Sequence, residues 1–134
     1  MKYKLNTPVE ILLVEDVMIP EPLYLHTEDP ISEWKRLRRE TGHSRFPVVK
    51  ETGHVVGILT SKDVPEASDG PVRQFMSRNP ITVTRQTTIA YAAHMMIWEG
   101  IELLPVTEDE MLVGVVSHRD VIKAMQYMKN QPQV

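Results

Sequence analysis

Apolar runs and helical apolar spacings alternate along the chain, and the alternation happens twice. Each pass opens on a brief extended run, Leu23-Tyr24-Leu25 first and Ile81-Thr82-Val83 second. A helix follows. In the first pass Asp29 is placed to cap it and Pro30 suits the first helical position. Ile31, Trp34 and Leu37 then share a face, and Gly42 ends the helix. In the second pass Thr88 is the cap, Ile89, Ala92, Ala93, Met96 and Ile97 follow helical spacing, and Gly100 ends it. Two strands come next: Pro47-Val48-Val49 with Val55 to Leu59, then Pro105-Val106 with Leu112 to Val116. A last helix opens at Thr60 or at Ser117. The second of these is full, with Val121, Ile122, Met125 and Met128 on one side, whereas Pro65 cuts the first short.

The two passes are copies. Met18 recurs as Met76, Gly42 as Gly100 and Pro47 as Pro105, each 58 positions on. The run Gly57-Ile58-Leu59-Thr60-Ser61-Lys62-Asp63-Val64 recurs as Gly114-Val115-Val116-Ser117-His118-Arg119-Asp120-Val121, 57 positions on. One residue has been lost where Lys50 to His54 faces Thr107 to Glu110, a change that a polar hairpin turn tolerates. Pro65 to Pro71 is a turn-rich connector too short for a flexible linker. A unit of this size buries little surface alone. The expectation is therefore an α+β module: two β-α-β-β-α repeats, over 14–67 and 72–128, packed with pseudo-twofold symmetry, with a lead-in at 1–13 and a tail at 129–134.

Composition narrows the function. The 134 residues are 42% hydrophobic and 25% charged, as in an ordinary globular domain. There is no cysteine, which excludes disulfides, thiolate metal sites and cysteine nucleophiles. The net charge of −3 lacks the basic excess of a duplex binder, so no direct nucleic-acid binding is expected. No secretory signal and no membrane-length apolar run is present, which points to the cytoplasm. The five histidines show no metal-ligand spacing, and no nucleotide-loop or nucleophile-elbow motif occurs. Enzyme activity is not expected. The basic run Lys35, Arg36, Arg38 and Arg39 is surrounded by acids and reads as a solvated helix face. His94 reads as a core or contact residue. Met95, Met96, Met125 and Met128 read as packing or a dimer surface.

The duplicated Thr60-x-x-Asp63 and Ser117-x-x-Asp120 carry two readings. One is a helix-start signature, in which the hydroxyl caps a backbone N–H and the acid complements the first turn. The other uses the same geometry to present a carboxylate to paired hydroxyls of a ligand, with phosphate favoured at the helix start. The two readings are compatible.

The doubled unit, the D-V-M and F-M entrances (Asp16 to Met18, Phe75-Met76), the P-V after each first helix and the G-h-h-[ST]-x-x-D run together resemble a tandem CBS domain pair, or Bateman module. The resemblance covers residues 14 to 128. Ser44 to Val49 and Trp98 to Val106 further resemble the CBS pair of bacterial regulators that combine helix-turn-helix, DRTGG, CBS and hotdog domains. The resemblance implies a transcription-regulating, ligand-sensing module that binds an adenine nucleotide (AMP, ADP or ATP) in clefts between the repeats. One cleft would use Ile58, Thr60 and Asp63 with Ile81 and Thr82; the other would use Val115, Ser117 and Asp120 with Leu23 and Tyr24. The Asp would hold the ribose. Arg45, Lys62 and Arg119 are the cations for phosphate, and Leu103 stands where repeat two would match Arg45. The nucleotide is a regulatory ligand, and no cofactor or metal is required. Such pairs also imply a homodimer. The competing reading is a ligand-free dimerisation scaffold. S-adenosylmethionine, NAD or a cyclic dinucleotide suits the same kind of pocket.

Overall fold

A computed structural model of the chain describes residues 12–130. These residues form two compact bodies, one holding 12–22, 81–108 and 113–130, the other holding 23–80 and 109–112.

In the first body the chain enters through α1 (Val14–Val17) and the two-residue β1 (Ile19–Pro20). The body also holds α3 (Ile89–Glu99), β6 (Leu103–Glu108), most of β7 (Met111–Ser117) and α4 (His118–Lys129). The sheet order is β1-β7-β6, with β1 antiparallel to β7 in the register Ile19 to Val115. Ile89, Ala92, Met96, Leu104, Val116 and Val121 are among the buried side chains of its core. Thr88 caps α3 by accepting the Tyr91 N–H at 3.1 Å, and Gly100 closes it in the left-handed conformation.

The second body holds β2 (Leu25–His26), α2 (Ile31–Thr41), β3 (Phe46–Val49), β4 (Val55–Leu59) and β5 (Ser77–Arg78), in the sheet order β2-β3-β4-β5. Leu25, Ile31, Trp34, Leu37, Phe46 and Leu59 lie in its core. The entrance strand of each repeat thus sits in the sheet of the other repeat's signature strand: β1 on β7, β5 on β4.

Several local expectations change. Asp29 does not cap α2. Its carboxylate accepts the His26 N–H at 2.8 Å, and the Ile31 N–H is accepted instead by the Gly70 carbonyl at 2.8 Å. The connector therefore satisfies the helix start, with Lys35 Nζ also donating to the Ser68 carbonyl at 3.3 Å. The extended runs begin late: β2 starts at Leu25, and of Ile81-Thr82-Val83 only Val83 bridges a strand, parallel to Val106. Ile97 faces solvent, because eight residues beyond Ile89 the helical phase has drifted by about 80°. In α4 the buried pair is Val121 and Ala124, while Ile122 and Met125 are exposed. His94 is exposed and stacks on Trp98. Of the methionines, Met96 is buried, Met95 and Met128 half-buried.

The lost residue has a structural cause. The turn after β3 closes with Lys50 N–H on the His54 carbonyl and Gly53 N–H on the Lys50 carbonyl, with Gly53 at φ 93°. That is a three-residue loop with a glycine bulge. The turn after β6 has only Asp109 and Glu110, at φ 52° and 68°, the geometry of a two-residue type I′ hairpin.

Candidate functional site

β4 delivers the chain to Thr60 in an extended conformation, and a single 3-10 turn (Ser61–Asp63) follows. Thr60 Oγ1 accepts the Lys62 N–H at 3.3 Å. Asp63 Oδ2 in return accepts the Thr60 N–H at 3.0 Å and the Thr60 hydroxyl at 3.2 Å. This is a reciprocal capping box, and it fixes the carboxylate's orientation.

Ser117 ends β7 in the same way. Its Oγ accepts the Asp120 N–H at 3.1 Å and donates to Asp120 Oδ2 at 2.8 Å. Both acids are half-buried. In both, the local bonds fall on Oδ2, and among the described residues Oδ1 accepts none. An anchored carboxylate with a second oxygen available is a good acceptor for a ligand's alcohols, since bonds to charged groups contribute about 1.5–3 kcal/mol. The copies differ beyond the acid. Val64 and Pro65 end the turn after Asp63, whereas Asp120 starts a twelve-residue helix whose dipole favours negative charge at that end.

The glycine of each signature strand is set by the entrance strand packed on it. A Cβ at Gly57 would lie 2.7 Å from Met76 Sδ and 2.8 Å from the Ser77 carbonyl oxygen; one at Gly114 would lie 2.9 Å from Met18 Sδ and 3.0 Å from the Ile19 carbonyl oxygen. The sequence shows both the glycines and the methionines as repeated, and their contact is what joins them. Met18 and Met76 were not among the expected site residues, although their 58-residue repeat was the signal.

Arg45, Ile58, Thr60, Lys62 and Asp63 share the second body with Leu23 and Tyr24; Ile81, Thr82, Val115, Ser117, Arg119 and Asp120 lie in the first. Ile58 and Ile81 are half-buried, and Val115 is buried on β7 opposite Ile19. Leu23 and Tyr24 are exposed, with the Tyr24 ring edge-on to His26 at 5.4 Å. Arg45, Lys62, Thr82 and Arg119 are exposed. Among the described residues no group of histidine and acidic side chains is arranged to hold a metal ion, and no helix is long and apolar enough to cross a membrane.

A sequence profile of the CBS domain matches residues 14–70 and again residues 72–127. The chain belongs to the CBS domain family. Its fold is the α+β arrangement of two CBS repeats, with mixed helices and strands in each. The CBS domains of a transcriptional regulator from Streptococcus pneumoniae superpose with a TM-score of 0.80 at 35% identity, covering 84% of this chain and 98% of that one. The CBS domain pair of MJ0100, solved with 5′-methylthioadenosine and S-adenosyl-L-methionine, superposes with a TM-score of 0.76 at 28% identity, again over 84% of this chain and 98% of that one. The uncharacterized protein YtoI of Bacillus subtilis is 46% identical over 129 residues, which is 93% of this CBS pair and 29% of that protein. The chain spans 24% to 29% of the length of the first curated relatives it matches.

Proposed function

We propose that this CBS pair is a non-catalytic, ligand-sensing regulatory module that binds an adenine nucleotide (AMP, ADP or ATP), acting as a homodimer within a larger cytoplasmic transcriptional regulator. The observation that carries this is the duplicated carboxylate, held through one oxygen while the other is available. On this reading Asp63 and Asp120 accept ribose hydroxyls, helped by Thr60 and Ser117. Ile58, Val115, Leu23, Tyr24, Ile81 and Thr82 supply apolar surface and backbone groups for adenine, a setting suited to a flat base with polar edges. Arg45, Lys62 and Arg119 meet phosphate. The adenosyl ligands of the MJ0100 pair support a ribose and an adenine as the common recognised parts. Binding that favours one arrangement of the protein shifts its population, and such coupling typically amounts to 1–3 kcal/mol.

Titration calorimetry with AMP, ADP and ATP tests the reading. Binding is expected for at least one, weakened by Asp63→Ala and by Asp120→Ala separately. Unchanged binding in the double variant overturns the ribose assignment. The self-contained capping boxes favour a second reading, a scaffold without ligand. Absence of heat and of any melting shift at millimolar nucleotide, with the protein folded, selects it.

A further inference from the structure

α3 is apolar on every side. Ile89, Ala92, Ala93 and Met96 form its buried side. The opposite side carries Tyr91, Ile97 and Trp98, exposed at 54%, 77% and 76%. The His94 ring stacks on Trp98 with centroids 5.6 Å apart and planes 18° apart, so the indole is held as part of a flat aromatic surface. In the same body α4 exposes Ile122 and Met125 at 42% and 44%. A helix that is apolar all round is normally enclosed, and exposed Trp, Tyr and Met are the residue types that concentrate at the centres of protein interfaces.

Repeat one has nothing comparable. The outer side of α2 is charged: Arg36 pairs with Glu33 and Glu40, and Arg38 and Arg39 are exposed. Its second helical element is the three-residue turn before Pro65.

We infer that two copies of this chain pair through repeat two alone, Tyr91, Ile97 and Trp98 of α3 and Ile122 and Met125 of α4 meeting the same residues of a second copy. This rests on the homodimer reading above and names its surface. A self-complementary patch is what a twofold contact requires. With large aromatic side chains at about 150–250 Å² each, the five residues expose on the order of 600 Å², so pairing removes on the order of 1,200 Å² from both copies, the lower end of specific interfaces. Lys123 and Lys129 on α4 and Glu99 on α3 border the patch with both signs of charge, so a second copy does not meet a rim of like charge.

Sedimentation velocity at tens of micromolar protein tests it. The unmodified chain and Arg39→Glu are expected to sediment as dimers, and Trp98→Glu and Ile122→Lys as monomers with unchanged circular dichroism. Two separate exposed sites guard against one variant failing to fold. A monomeric unmodified chain overturns the homodimer reading and the surface together. A dimer that survives both Trp98→Glu and Ile122→Lys overturns the surface and leaves the homodimer. Dissociation by Arg39→Glu overturns the restriction to repeat two. Nucleotide titration of the same samples reads the ligand proposal independently.

Discussion

Met76 lies against Gly57 so closely that no side chain fits between them: a Cβ on Gly57 would stand 2.7 Å from the Met76 sulfur. The same relation joins Met18 to Gly114 at 2.9 Å in the other body. Each glycine stands three residues before the hydroxyl of its capping box, so the entrance strand is fixed beside the segment that presents the acid.

Gly57→Ala is therefore expected to destabilise the fold by about 1–3 kcal/mol, the usual cost of overpacking. Gly114→Ala follows, somewhat milder because its contacts are longer. Met76→Ala in the Gly57→Ala background restores only part of the loss, since the Ser77 carbonyl oxygen at 2.8 Å is backbone held by the β4–β5 pairing. Urea unfolding of the three variants measures this, and full rescue by Met76→Ala would show that the carbonyl does not matter.

The two hydroxyls of the capping boxes are expected to differ in their contribution to stability. Ser117→Ala removes the cap of a twelve-residue helix and should cost about 1 kcal/mol. Thr60→Ala removes the cap of one 3-10 turn, which has few bonds to lose, and should cost less. Equal losses in denaturant unfolding would mean that the length of the following helix is irrelevant.

Four non-glycine residues hold left-handed backbone, and they lie at turns. Glu21 and Asn79, at φ 50° and 54°, follow β1 and β5 and are 58 residues apart; Asp109 and Glu110 make the type I′ turn. Glutamate is poorly suited to this conformation, whereas Asn and Gly adopt it readily. Glu110→Gly and Glu21→Asn are each expected to stabilise by about 0.5–1 kcal/mol, read as a higher urea midpoint. A lower midpoint in both would show that the glutamate side chains hold the turns by contacts of their own.

These turns also mark where the sequence stops being legible. The repeat, its helices and glycine ends follow from periodicity, and so do the capping boxes, because each is local: hydroxyl and acid stand three residues apart. The exchange of entrance strands is not local. Nothing in Met18 or Met76 alone says which strand it packs on, and the tight glycine contact becomes visible only once β1 lies on β7 and β5 on β4. Asp29 misled for a related reason: its expected partner, the N-terminus of α2, is bonded by Gly70, which is forty residues away. Ile97, Ile122 and Met125 fit an apolar spacing, yet face solvent, because spacing gives a helix's apolar residues without saying how many of its sides are covered.

The Arg36 guanidinium beside Glu33, hydrogen-bonded to it through Nε at 3.0 Å, holds that carboxyl below the usual carboxylate range. Arg36 itself is pushed upward, and it stays charged throughout the accessible range. A carboxyl lowered by folding adds stability that is fully present above its unfolded value, about 4.3 for Glu, and lost as pH falls through the lower folded one. The side chains are 47% and 33% exposed, so solvent and salt screen the pair and the effect is small. Glu33→Gln is thus expected to lower the melting temperature slightly near neutral pH, with the gap to the unmodified chain closing as pH falls below about 4. The gap should also shrink as salt shortens the screening length. Melting curves across pH at low and high salt check both. A gap that persists unchanged into acid would mean that Glu33 acts through the packing of its stem on α2 and not through its charge.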